Sequence, residues 1–244
     1  MKKLLTICLL CIAFLYCSCD GIITNNGRTV TGNGVVVNRE FAIKDFKDID
    51  VSSSITVVLA QADKFDVKLE GEDNIVSLFD VKLVGEKLVI KPKGKYNLSF
   101  KKPLKAYISA PVFRKLEASG ACAYTGNSPI RHDGDIELDL SGSCNADLEL
   151  HAPSVSADIS GACRLKLSGT AKEFRIDGSG SSEARCFGLM ADVVNIDFSG
   201  AGMAEVSAAR QLKVDISGAA NIRYKGNPGI SQEVSGAASI KKAD

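Results

Sequence analysis

A Ser-Gly dipeptide followed by a small residue recurs seven times in this 244-residue chain at nearly constant spacing. The motif serines are Ser119, Ser141, Ser160, Ser179, Ser199, Ser217 and Ser235. They follow one another at steps of 22, 19, 19, 20, 18 and 18 residues. A period of about 20 residues is typical of a solenoid, in which each repeat packs only on its neighbours. The repeat therefore constrains the fold far more than it constrains the function.

The residues on both sides of each motif alternate between apolar and polar, as β-strands do. If the serine is position zero, positions −5, −3 and −1 are apolar in nearly every repeat, as at Ile136, Leu138 and Leu140. The alternation resumes at positions +5 and +7, for example at Leu165 and Leu167. Period-two alternation indicates a strand with one buried face. We therefore predict a strand, a Ser-Gly corner and a second strand in each repeat.

The motif glycines give each repeat a corner at the same place, because glycine tolerates positive φ. A rung of about 20 residues, at ~3.3 Å per residue, is long enough for a three-sided coil. We predict an all-β fold, a right-handed parallel β-helix with about 18–22 residues per rung. An antiparallel sandwich is the alternative, but it does not readily explain why the same residue types recur in every column.

The segment before the first Ser-Gly motif is less regular. Residues 49–55 match the repeat, with Ser53 in place of glycine. Alternating runs follow at residues 65–69 and 81–84. We predict about three irregular rungs here that open or cap the solenoid.

The first 18 residues have the features of an export signal. Two lysines precede a short apolar run, which is too short to span a membrane. Cys19 follows the small residue Ser18, as in bacterial lipoprotein signals, where the cysteine is diacylated and becomes the mature N-terminus. We predict lipidation at Cys19; an ordinary secretory signal cleaved nearby is the alternative.

The remaining chain divides into a tether and one folded domain. Residues 19–34 are rich in Gly, Asn and Thr and predict a flexible tether, and residues 35–244 form the predicted β-solenoid domain. After removal of residues 1–18, the mature chain has 28 basic and 29 acidic side chains. This balance argues against nucleic acid, or an anionic membrane, as a partner recognised through bulk charge. We expect a membrane-anchored lipoprotein of the bacterial envelope, in the outer membrane.

The export signal, the opening strand Ile49-Asp50-Val51 and the Ser-Gly-Ala or Ser-Gly-Ser rungs together resemble the putative auto-transporter adhesin head (GIN) domain family. The resemblance extends from about residue 37 to residue 240. It implies a right-handed parallel β-helix in an exported or surface protein. The family's repeats bring no catalytic or binding residues that could be transferred to this sequence.

Position −2 of the repeat is acidic throughout. It is occupied by Glu117, Asp139, Asp158, Asp177, Asp197, Asp215 and Glu233, with Asp50 in the equivalent place of the opening rung. Stacked rungs would bring neighbouring carboxylates within ~5 Å on the outer face, where like charges repel. A Ca²⁺ or ligand ladder at Asp139, Asp158, Asp177, Asp197 and Asp215 is one explanation, and a cationic partner is another.

The alternative is that nearby side chains relieve this repulsion and that the acidic residues have only a structural role. Basic side chains lie two residues upstream of three acids or at position +6, and the serine column can donate hydrogen bonds. Those basic residues are Lys115, Arg175 and Lys213 upstream, and Lys166, Arg185, Arg223 and Lys241 at +6. We hypothesise a mainly structural column with weak Ca²⁺ affinity and no other cofactor.

Three cysteines, Cys122, Cys144 and Cys163, share position +3, where the later rungs carry only small residues. We favour buried free thiols acting as small fillers, although disulfides remain open in an exported protein. Cys186 falls at a core position.

Enzymatic chemistry has little support in the sequence. His132 and His151 fall in predicted loops without a catalytic motif, and the chain has no nucleophile elbow, P-loop or zinc-protease motif. The leading interpretation is a non-enzymatic, lipid-anchored envelope protein whose solenoid binds a protein or glycan partner. A carbohydrate-active enzyme or glycan-binding module, or a purely structural envelope component, are the alternatives.

Overall fold

The computed structural model describes residues 27–243 and is nearly all β, a β-solenoid of about six turns. The predicted parallel β-helix is confirmed. The strands are β1 Arg28–Thr31, β2 Val36–Glu40, β3 Asp48–Ser53, β4 Thr56–Gln61, β5 Asp66–Glu72, β6 Phe79–Val84, β7 Lys87–Pro92, β8 Tyr96–Ser99, β9 Lys105–Ala110, β10 Lys115–Gly120, β11 Ala123–Gly126, β12 Ile130–Arg131, β13 Ile136–Gly142, β14 Asn145–Gly161, β15 Arg164–Gly180, β16 Glu183–Lys225, β17 Gly229–Gly236 and β18 Ser239–Lys242. One short helix, α1, spans Asp73–Val76.

The predicted signal segment, Cys19 and the first part of the predicted tether lie outside the described residues. Within residues 27–243, no helix has the length and apolar character needed to cross a bilayer.

The motif strands stack in parallel and in register. Gly120 pairs with Gly142, which pairs with Gly161, and the same glycine-to-glycine pairing continues through Gly180 and Gly200. From β13 to β16, residues at positions −5, −3 and −1 therefore form continuous inward columns, which are buried in the single core of the solenoid. The columns predicted from the sequence are the stacked columns of the structure.

The corners require glycine for two reasons. At Gly161, φ is +91°, a left-handed conformation that disfavours other residues. A Cβ at this position would also lie 2.5 Å from the carbonyl oxygen of Gly142 in the rung below. That same oxygen accepts a hydrogen bond of 2.7 Å from the N–H of Ala162, so the rungs remain hydrogen-bonded around the corner.

The first corner carries serine, as predicted. Ser53 pairs with Gly120 and has a φ of +101°. The strand on its other side, β7, pairs with β3 only as far as Val51. No strand of the described chain pairs with Ser53 on that side, so its Cβ is accommodated there although its φ is unfavourable.

The prediction of irregular rungs that open or cap the solenoid before Lys115 is correct for the cap, but not all of its strands stack as parallel rungs. Strands β3 and β4 form one rung, and the segment that follows folds into a cap over it. Strand β7 packs in parallel on β3, and β9 packs in parallel on β4. Strands β5 and β6 are antiparallel to β9 and β7. Alternating residues fit parallel and antiparallel partners equally well, so the sequence pattern could not distinguish a cap from further rungs.

Part of the predicted tether also belongs to the fold. Strand β1 pairs in parallel with β8 of the cap. The buried carboxylate of Glu72 then accepts hydrogen bonds from the N–H groups of Gly34 (2.6 Å), Lys101 (2.9 Å) and Lys102 (3.2 Å). These three bonds outweigh the effect of desolvation and lower the pKa of Glu72. The ordered fold therefore begins before residue 35.

Candidate binding face

The acidic residues at position −2 stack directly on one another. Asp50 is aligned with Glu117, Glu117 with Asp139, Asp139 with Asp158, Asp158 with Asp177, Asp177 with Asp197, and Asp215 with Glu233. We call these eight residues the acidic stripe. Its side chains lie on the outer face of the first strand of each rung, at exposed or half-buried positions. The predicted stacking is therefore confirmed.

Nearby cations neutralise only two positions of the acidic stripe. Arg175 holds Asp177 with two hydrogen bonds of 2.7 and 3.0 Å. Glu117 forms ion pairs with Lys87 of the cap and with Lys115. Within the described residues, the other six members have no ion pair.

The basic residues at position +6 do not relieve the repulsion, contrary to the structural explanation. Lys166 pairs with Asp147 at 2.9 Å, and Arg223 pairs with Glu205 at 2.8 Å. Arg185 likewise binds Glu183. These cations lie beyond the corner, on the second strand of each rung, where acidic side chains of that strand are closer than the stripe. In the described chain, no motif serine donates a hydrogen bond to a stripe carboxylate either.

The centre of the acidic stripe lines an open groove of about 270 Å³. Its polar lining consists of Asp139, Asp158, Asp177, Asp197, Ser160, Ser179 and Ser199. Burial, followed by the charges of Asp177 and Asp139, raises the pKa of Asp158. Carboxylates and hydroxyls in this arrangement suit the lysine and arginine side chains of a partner. No cluster of three or more His, Cys, Asp or Glu side chains within residues 27–243 is arranged to hold a metal ion.

The cysteines at position +3 are free, buried thiols, as favoured from the sequence. Each thiol donates a hydrogen bond to the carbonyl of the motif serine three residues earlier, at 3.3 Å for Cys122, 3.1 Å for Cys144 and 3.2 Å for Cys163. In the next rung the hydroxyl of Ser182 makes the same bond, at 3.1 Å. This role was not predicted from the sequence, although Ser182 in the same column indicates a hydrogen-bonding position.

These thiols differ in acidity: the hydrogen bond with the Cys144 thiol lowers the pKa of Cys122. Contact with the Cys144 thiol, together with burial, raises the pKa of Cys163 far above its ordinary value. Burial raises the pKa of Cys186 to about 12. All four side chains are at most 1% exposed, so the cysteines fill space in the core.

The two histidines do not join a catalytic group. His132 accepts a hydrogen bond from the N–H of Gly134 at 2.6 Å. His151 lies in β14, not in a loop as predicted, and contacts Glu149 at 3.0 Å and Thr170 at 2.9 Å.

A separate apolar groove of about 440 Å³ lies near the other end of the solenoid. Phe187, Met190 and Ala208 line it, and Lys225 lies at its rim with its ammonium 4.8 Å from the centre of the Phe187 ring. An apolar floor beside a cation suits a ligand with an apolar body and a negative group.

The comparisons with known proteins agree with the architecture. The family model described as putative auto-transporter adhesin, head GIN domain, matches residues 45–228. No curated protein matches the chain. A crystal structure of a putative adhesin from Bacteroides fragilis has a TM-score of 0.83 and 24% identity, and covers 88% of this chain and 100% of the other.

Two other solved structures share the fold. A putative adhesin from Parabacteroides merdae has a TM-score of 0.69 and 24% identity, and covers 89% of this chain and 100% of the other. A putative lipid binding protein from Parabacteroides distasonis has a TM-score of 0.69 and 21% identity, with the same coverage. At these identities the likeness shows the fold alone.

Proposed function

This chain belongs to the putative auto-transporter adhesin head GIN domain family, and from that premise we propose that it is a non-enzymatic adhesion protein, exported and held at the envelope by a lipid on Cys19. The acidic stripe is its binding face. The observation that carries this proposal is the register of the stripe, which aligns six carboxylates from Asp50 to Asp197 and pairs Asp215 with Glu233 in the same sheet.

The arrangement favours binding over catalysis. Acid–base catalysis needs only two carboxylates that flank a substrate, whereas the stripe repeats a carboxylate at the same position of one rung after another. Repetition instead suits a partner with several cationic groups, because each additional contact becomes intramolecular once the first has formed. Six of the eight carboxylates have no ion pair within the described chain and can take part in such contacts.

The binding test uses the chain from residue 19 with Cys19→Ser, which retains every described residue. The protein is immobilised and exposed to basic proteins, envelope and host glycans, and Ca²⁺. We expect a saturable response that Asp158→Asn/Asp197→Asn weakens at least tenfold, since neither carboxylate has an ion pair in the described structure. Asp133→Asn/Asp135→Asn removes the same charge from an exposed loop and should have no effect.

The anchoring test is separate. Cells that express the full chain are fed an alkyne fatty acid, which should label the wild type but not Cys19→Ser. In the binding test, equal weakening by Asp133→Asn/Asp135→Asn, or turnover of a glycan, would refute the acidic stripe as an adhesion face. Labelling that persists in Cys19→Ser would refute the anchor.

A further inference from the structure

The even charge balance of the chain conceals a strongly basic segment in the cap. Between positions 82 and 105 there are eight lysines and one acidic residue, Glu86. Three of these lysines, Lys82, Lys87 and Lys105, lie within 4 Å of a carboxylate. The other five have no ion pair within residues 27–243. This segment therefore presents uncompensated positive charge.

Three of the five unpaired lysines, Lys95, Lys101 and Lys102, lie around the point where the chain enters the fold. Gly27 packs against the backbone of Lys95, and Arg28 is aligned with Tyr96 in the β1–β8 pair. Backbone N–H groups of Lys101 and Lys102 bind the same Glu72 carboxylate that binds Gly34. We define the lysine cap as this group of exposed residues: Arg28, Lys91, Lys93, Lys95, Lys101 and Lys102.

Acidic groups on the same elements are too few to neutralise the lysine cap. The carboxylate of Glu72 is buried and satisfied by backbone N–H groups, and Asp80 lies 3.8 Å from Lys82. Asp73 is the remaining acid on α1 and its flanks. Lys93 donates to the carbonyl of Ser77 at 2.8 Å, a neutral partner that leaves its charge uncompensated.

Two exposed aliphatic side chains adjoin the lysine cap. Val35 is 59% exposed and Val36 is 48% exposed. The carbonyl of Val35 accepts a hydrogen bond of 2.9 Å from the N–H of Asp73, which places both valines beside α1. Exposed aliphatic groups next to uncompensated lysines suit the boundary between lipid headgroups and acyl chains.

The length of chain before the fold limits its distance from a lipid anchor. Gly27 is eight residues after Cys19, and a chain of that length, at no more than ~3.6 Å per residue, spans less than ~30 Å. A flexible linker of this length has a typical end-to-end distance of ~16 Å. An acylated Cys19 therefore holds the lysine cap close to the bilayer surface, where anionic lipids attract basic residues within a Debye length of ~8 Å.

We propose that the lysine cap binds the anionic headgroups of the membrane that holds the anchor. The inference rests on the proposed lipid anchor, and it adds a second contact between the protein and the membrane. With the cap docked on the bilayer, the stacked rungs extend away from the surface. The acidic stripe then faces partners instead of anionic lipid.

The test is co-sedimentation with vesicles, using the chain from residue 19 with Cys19→Ser, so that no acyl chain contributes. Vesicles of phosphatidylethanolamine containing about one quarter phosphatidylglycerol should bind the protein at roughly 50 mM salt. Neutral phosphatidylcholine vesicles should not bind it. Lys95→Gln/Lys101→Gln/Lys102→Gln should weaken binding at least tenfold, and so should roughly 0.5 M salt.

The matched control is Lys225→Gln/Lys241→Gln/Lys242→Gln, which removes the same charge from exposed lysines in the last two rungs. It should bind like the wild type. Equal loss in both triple variants, equal binding to neutral vesicles, or no binding to anionic vesicles would each overturn the lysine cap as a membrane contact. All substituted side chains are exposed, and unchanged melting temperatures verify that the variants are folded.

Acylation labelling distinguishes this inference from the proposed function. If Cys19 is not labelled but the triple variant in the lysine cap loses vesicle binding, the anchor is wrong and the lysine cap stands. If Cys19 is labelled and anionic vesicles do not bind, the anchor stands and the lysine cap is wrong.

Discussion

At each corner of the solenoid, both the backbone conformation and the close packing disfavour a Cβ atom on the motif glycine. The corner glycines have φ values between +77° and +140°. At Gly161, a Cβ would also press on the carbonyl oxygen that binds Ala162. Gly85, in the turn between β6 and β7, has a φ of +63° but no atom within 4 Å of its Cβ position. Substitutions at Gly161 and Gly85 therefore distinguish the effect of a positive φ from the effect of close packing.

We expect Gly161→Ala to lower the free energy of unfolding by roughly 2–4 kcal/mol, because strain in φ and a backbone clash add together. Gly85→Ala should lower it by only about 1 kcal/mol, because it adds strain in φ alone. Denaturant unfolding of both variants measures the difference. Equal losses of stability in the two variants would show that the contact with the carbonyl oxygen of Gly142 does not contribute.

Ser53 allows the opposite substitution, from serine to glycine at a corner with positive φ. Its positive φ is unfavourable for serine, and no described strand pairs with it on one side, so Ser53→Gly should raise the free energy of unfolding by up to about 1 kcal/mol. A decrease would indicate that the Ser53 side chain makes a stabilising contact.

At the scale of one element, the acidic stripe combines a regular register with unrelieved charge. The pKa of Asp158 is raised by burial and by Asp177 and Asp139. An acid whose pKa is higher in the folded state than in the unfolded state destabilises the fold when ionised. The penalty is present above the folded pKa, and it disappears as the pH falls below the ordinary value of 3.8.

Asp158→Asn should therefore raise the melting temperature at pH 7, with a gain of about 0.5 kcal/mol for the removal of like-charge contacts. The gain should shrink as the pH is lowered from 6 towards 3.5, since the wild-type carboxyl becomes protonated. Thermal unfolding across this pH range measures it. Asp147→Asn is the control: it breaks an ion pair with Lys166 and should give no gain. A gain independent of pH would exclude charge as the cause.

The stripe and the cap show which parts of a solenoid can be predicted from its sequence. The columns containing Asp158, Ile159 and Gly161 were predicted correctly because a repeated rung places equivalent residues on top of one another. The pairing of β5 with β9 could not be predicted, because it joins segments outside the repeat and in the antiparallel direction. Ion pairing was also missed: the position of Lys166 in the repeat does not reveal that Asp147 is closer than the stripe.

At the scale of the whole molecule, the two ends of the solenoid differ. The strands of the first rung, β3 and β4, pair with β7 and β9 on the side away from the next rung. In the described chain, the last motif strand, β17, has a partner only on the side of β16, and all of its residues are exposed. A solenoid is stabilised mainly by contacts between neighbouring rungs, so local stability should fall towards β17.

Two valines in inward columns test this gradient, because Val155 in β14 is 0% exposed and Val234 in β17 is 43% exposed. Val155→Ala removes methyl groups packed by rungs on both sides, and should lower the free energy of unfolding by roughly 2–3 kcal/mol. Val234→Ala should lower it by less than about 0.5 kcal/mol, because its side chain is already in contact with solvent. Denaturant unfolding measures both, and hydrogen exchange should find the amides of β17 exchanging well before those of β14. Comparable losses from the two variants would mean that another surface covers β17 in solution, and would point to association between copies at this end.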